Sequence, residues 1–124
     1  MARLGHQSVV VVSLLVAGLT LSSCGSGGAI NDARAACVQV HQSLVLYAQS
    51  QQNGTAPARR NQLENRALTT LLRATPSAAA ATSIDGSWNP LMTTINEAER
   101  VPMNNLVASL TRLCQVADSS TPYL

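Results

Sequence analysis

From Asn31 or Asp32 to about Gln52 the apolar positions Ala33, Cys37, Val40, Leu44, Tyr47 and Ala48 recur at steps of three and four, the spacing that lines one side of an α-helix. Asp32 can cap its start by accepting from the free amides of the first turn. Asn53-Gly54 closes it, because glycine takes the left-handed conformation at a helix end without a Cβ clash. Pro57 suits the first turn of a second helix, whose apolar line is Leu63, Ala67, Leu71 and Ala74, thickened by Leu68 and Leu72. Thr75-Pro76 interrupts or kinks it, since proline lacks a backbone donor and restricts the residue before it. The alanine-rich stretch from Ser77 to Thr82 reads as a short helical extension, and Ile84-Asp85-Gly86-Ser87 as the turn beyond it. A third helix starts between Asp85 and Asn89, tolerates Pro90 in its first turn, points Leu91, Ile95 and Ala98 inward and ends near Arg100. Pro102 opens a fourth, carrying Leu106, Leu110, Leu113, Cys114 and Ala117 and fading at Asp118-Ser119-Ser120. No segment alternates as a strand does. The expected fold class is therefore all-α, a small antiparallel bundle of about four helices with short connections.

Upstream the pattern changes character. Val9 to Leu21 is an uncharged, mostly apolar core of about 13 residues preceded by Arg3, too short for a comfortable transmembrane helix, which needs about 20. It ends in Leu21-Ser22-Ser23-Cys24, and this stretch resembles the lipobox of bacterial lipoprotein precursors. In that class the cysteine thiol receives a diacylglyceryl group and a peptidase cuts before it. The resemblance implies a signal peptide over 1–23, lipid attachment at Cys24 with acyl chains such as palmitate, and a mature chain facing outward from the cell membrane. Two or three such chains anchor a protein stably, whereas one holds it only marginally. Gly25-Ser26-Gly27-Gly28 reads as flexible, so 24–30 is expected to be a Gly/Ser tether and 31–124 the helical domain. With a helical, alanine-rich domain of this size and one cysteine near each end, the chain as a whole resembles small lipoproteins of mycobacteria and related actinobacteria. Only the lipobox is a specific motif, and Cys24 is the only residue whose role carries over.

Export changes what the remaining cysteines imply. Cys37 and Cys114 form an even pair in a compartment where disulfides persist, so one bridge is expected. Two free thiols are an alternative. A metal site is a third, because Cys37 and His41 stand i, i+4, although no fourth donor accompanies them. In an up-down-up-down bundle the two cysteines fall at the same end.

Composition adds constraint more than chemistry. The mature part, about 100 residues, suits one small domain. Phe is absent and Trp88 is the single Trp, so the core is thin and a crosslink is a natural remedy. All 8 basic residues are Arg, and removing Arg3 leaves seven against 6 acids, a near balance that gives no reason to expect nucleic acid as a partner. No G-x-S-x-G nucleophile motif and no C-x-x-C-H haem attachment occurs, and His41, the one histidine of the mature part, stands without a recognisable catalytic partner. Met92 and Met103 read as core filler and Trp88 as buried. Neither catalysis, metal nor cofactor is expected. After Cys24 the most informative set is Arg59, Arg66 and Arg73, which recur every seven residues on one side of the second helix with Arg60 beside them and Glu64 the nearby acid. Such a strip can contact anionic lipid or an acidic partner; otherwise it is a solvated face paired with Glu97 and Glu99. The expectation is a non-enzymatic, surface-anchored module that binds an envelope protein or lipid. The alternative is a carrier that holds a hydrophobic small molecule in the bundle core.

Overall fold

The computed structural model of the chain describes residues 26–119. The apolar run, Leu21-Ser22-Ser23-Cys24 and the residues after Ser119 lie outside the described residues. Within them the domain is all-α, and no strand occurs. Helix α1 (Ser26–Ser50) is the longest, with 25 residues, or about 37 Å of axis. Gly54 at φ +83° turns the chain. Pro57 then sits at the start of α2 (Pro57–Leu72), which returns along α1, tied to it where the buried Ser43 hydroxyl donates to the Ala67 carbonyl at 2.6 Å. The chain stays helical in φ and ψ through Arg73 and Ala74, and α3 (Thr75–Ile84) follows at once. The break is a kink, because Pro76 occupies the first turn of α3, where its missing amide costs nothing. Helices α2 and α3 together form the second arm of a four-arm bundle. A 3-10 turn at Gly86–Trp88 leads into α4 (Asn89–Glu97), and a second at Met103–Asn105 precedes α5 (Val107–Asp118).

Packing explains this order. On α1 the residues Ala29, Ala33, Ala36, Cys37 and Val40 are buried; Ala74, Ala78 and Ala81 are buried on the facing arm. Small side chains on both sides let the helices approach closely. Bulk enters through Leu71 at the end of α2 and, from the other arms and turns, through Trp88, Leu91, Ile95 and Leu110. The inward lines Leu63-Ala67-Leu71, Leu91-Ile95-Ala98 and Leu110-Cys114-Ala117 are all buried, as their spacing required.

Four expectations need correction. The tether is shorter than 24–30, because α1 already includes Ser26 to Ile30. Ala29 and Ile30 are buried, and a Cβ on Gly28 would stand 3.6 Å from Ile84 Cδ1, so tertiary contact with α3 overrides the weak helix propensity of glycine. Asp32 is consequently inside the helix and caps nothing. Ala48 is exposed rather than inward. The last helix begins at Val107, not at Pro102, after the 3-10 turn at Met103–Asn105.

The cysteines form a disulfide, with Cα atoms 5.5 Å apart. Since α1 starts early, Cys37 lies near its middle, and the bridge fastens the end of α5 across that point. Two further contacts close the same crossing. Arg34 donates from Nε to the Ala117 carbonyl at 2.9 Å and from Nη2 to the Ser119 carbonyl at 3.1 Å, while His41 Nε2 meets Asp118 Oδ2 at 2.8 Å. The guanidinium thus satisfies carbonyls that a helix end leaves without partners and sits where the helix dipole favours a cation. At the other turn, Asp85 accepts from the Ser87 amide at 2.9 Å. Hydrogen bonds from Ser87, the backbone amide first, hold its carboxyl below the ordinary aspartate range. That contribution is therefore present above the ordinary aspartate pKa and fades as pH falls through the lowered value.

Candidate functional site

Arg59, Arg66 and Arg73 are all exposed, and the structure distributes them along α2 beside α1. Leu63, Ala67, Thr70 and Leu71 are buried on the adjacent side of α2, so the seven-residue repeat runs along the exposed edge of the buried stripe. Arg66 and Arg73 line a shallow groove of about 490 Å³ between α1 and α2, with Val45 and Leu46 of α1 and Thr70 of α2, and they also border a second, polar groove with Gln62, Asn65 and Thr69. Arg59 lies further along, beside the α1–α2 turn at Gln52 to Ala56. It donates to Gln62 Oε1 at 2.9 Å.

The acids that could neutralise the strip are engaged elsewhere or face away. Glu64 accepts from Gln51 Nε2 at 3.1 Å. Glu97 pairs with Arg100 at 2.6 Å, on its own segment. Among the described residues, neither Arg59, Arg66 nor Arg73 joins an ion pair. The cross-helix pairing to Glu97 and Glu99 that would have made the strip a plain solvated face does not form.

Val38 and Val45 add an apolar component that the inward apolar line did not reveal. They stand two turns apart on the outward side of α1, 53% and 56% exposed. Val45 borders Arg66 and Arg73 in the same groove. The signal was available, since both fall opposite the Ala33-Cys37-Val40 line, but their nearness to α2 depended on how the two helices pair. Arg34 was also missed; only the unsatisfied carbonyls at the end of α5 call for it.

A second concavity opens on another side. Tyr47, Glu64, Leu68, Val101 and Met103 line a cleft of about 320 Å³ between α1, α2 and the connection from α4 to α5. It is a surface cleft, whereas Leu71, Leu91, Ile95 and Leu110 are buried in the bundle interior. Trp88 is buried, 4% exposed, and its Nε1 has no hydrogen-bond partner among the described residues. With Cys37 held in the bridge, its thiolate is not free to join His41 on a metal. Among the described residues no three His, Cys, Asp or Glu side chains come together as metal donors, and no helix is long and apolar enough to cross a membrane. No family model, no curated protein and no solved structure matches the chain. Function is therefore to be read from the geometry.

Proposed function

We propose that this chain is a lipid-anchored envelope protein, attached through Cys24 to the extracytoplasmic face of the cell membrane, whose α1–α2 face binds anionic lipid headgroups. It acts by binding rather than by catalysis. The observation that carries this reading is the strip of Arg59, Arg66 and Arg73, exposed along one side of α2 and without ion pairs among the described residues. An early start to α1 supports it. Only Gly25 separates Cys24 from Ser26, the first residue of α1, so an anchor at Cys24 holds the bundle against the headgroups. Helix α1 must then lie along the membrane for Arg59 to reach it, since its far end is about 37 Å from the start. The carrier alternative would use the cleft beside Tyr47 and Met103, because core side chains occupy the bundle interior.

Each arginine near an anionic surface contributes about 1 kcal/mol, so the three together amount to roughly a hundredfold in affinity. Sedimentation with phosphatidylglycerol and phosphatidylcholine vesicles, using mature chain bearing Cys24→Ser, tests this. The parent should prefer the anionic vesicles, salt should weaken the binding because exposed charges are screened over about 8 Å, and Arg59→Gln/Arg66→Gln/Arg73→Gln should lose roughly a hundredfold. Equal sedimentation of parent and triple variant, with unchanged helical circular dichroism, contradicts the proposal and assigns the strip to solvation.

A further inference from the structure

We infer that the groove between α1 and α2 is a site for one phosphate monoanion carried on a short apolar stem, the chemistry of a phospholipid headgroup with its glycerol. The inference rests on the reading of the α1–α2 face as a lipid-binding surface, but it makes a narrower claim. A diffuse charged surface needs only arginines. This groove also has a floor.

Three observations combine. Arg66 and Arg73 line the same shallow, open groove. They stand two turns apart on α2, about 10 Å along the axis, a span that two extended arginine side chains can close around one phosphate. Guanidinium groups bind phosphate through paired, charge-assisted hydrogen bonds, so two of them can serve its non-bridging oxygens. Below them, Val45 and Leu46 from α1 present apolar surface, and Val45 is 56% exposed. Exposed apolar surface beside unpaired cations is suited to an amphiphile and wasted on a free inorganic anion. Thr70, largely buried, also lines this groove. His41 also lines the groove, but Asp118 engages it at 2.8 Å. The phosphate is therefore assigned to the two arginines. Arg59 belongs to the separate surface by the turn and is not part of this site.

The headgroup and free phosphate are separable by their stems. Mature chain bearing Cys24→Ser, labelled with nitrogen-15, is titrated with three soluble probes: dihexanoyl phosphatidylglycerol below its aggregation threshold, dihexanoyl phosphatidylcholine, and inorganic phosphate. The expected result is a saturable shift of the Val45, Leu46, Thr70 and Arg73 amides with the phosphatidylglycerol, a weaker one with phosphatidylcholine, whose cationic end opposes the arginines, and a response to inorganic phosphate that leaves Val45 and Leu46 unmoved. Arg66→Gln/Arg73→Gln should weaken the phosphatidylglycerol titration at least about tenfold. Arg59→Gln should leave it unchanged while lowering vesicle binding. Val45→Ser should weaken the phospholipid but not the phosphate, without loss of helical signal. Non-saturable shifts, or a Val45 response equal for all three probes, overturn the inference. So does a phospholipid affinity no better than that of inorganic phosphate. Failure here with an intact anionic vesicle preference leaves the surface reading standing. Saturable groove binding without any vesicle preference removes that reading and keeps the site.

Discussion

Replacing Cys37 and Cys114 together by Ser lowers the melting temperature by tens of degrees while leaving the helices recognisable at low temperature. The bridge closes a separation of 77 residues, and the loop-entropy model assigns such a closure about 4 kcal/mol. For a domain of this size each kcal/mol moves the midpoint by about 4–8 °C. Besides the packing of Leu110 and Ala117 into the core shared with α1, polar contacts add little at this crossing. The contacts of Arg34 with Ala117 and Ser119 and of His41 with Asp118 are exposed or partly so, and such contacts contribute about 1 kcal/mol or less each. Thermal melts followed by circular dichroism, with and without reductant, check this. The parent should fall toward the double variant when reduced, and the double variant should ignore reductant. Coincident melts of oxidised and reduced parent would mean that the helical core holds the crossing without the bridge.

Trp88→Ala should cost about 3–5 kcal/mol, the range for truncating a buried large aromatic. Trp88 is the largest side chain of a core otherwise made from Leu, Ile, Val, Ala and the two bridged cysteines, and it sits in the turn between α3 and α4. Its buried Nε1 is without a partner among the described residues, and an orphaned buried donor costs about 1–3 kcal/mol. Trp88→Phe removes that donor while losing part of the ring volume. The two effects oppose, and Trp88→Phe should be much milder than Trp88→Ala. Urea unfolding monitored at the helical circular dichroism band measures both, since the variants lack the tryptophan fluorophore. Equal costs for Phe and Ala would show that the indole ring as such, not aromatic volume, holds the turn.

Much of the fold was legible because periodicity reports burial directly. Leu63, Ala67 and Leu71, and Leu110, Cys114 and Ala117, were assigned inward from spacing alone, and burial follows that assignment. The start of α1 was not legible. Glycine at Gly27 and Gly28 signals flexibility locally, and the burial of Ala29 and Ile30 in the core, with Gly28 passing close to Ile84, reverses the signal. Ala48 was misplaced for a related reason: at helical spacing a small residue near the edge of the apolar line fits either side, and the path of α2 decides. The arginine strip was visible as a repeat, whereas its setting was not. Val45 and Leu46 come beside Arg66 and Arg73 only because Ser43 docks on Ala67 and fixes how α1 and α2 pair. Glu97 was expected to reach the strip and instead closes on Arg100 one turn away, where the geometry is local. Cys24 lies outside the described residues, so the anchor still rests on Leu21-Ser22-Ser23-Cys24.

Mass spectrometry of the native protein extracted from envelope membranes tests that anchor most directly. The account predicts that the mature chain begins at Cys24 and carries a diacylglyceryl group, with or without a further amide-linked acyl chain, and that Cys24→Ala abolishes both the cleavage and the lipid. A membrane-extracted chain beginning elsewhere, or an unmodified Cys24, would contradict it.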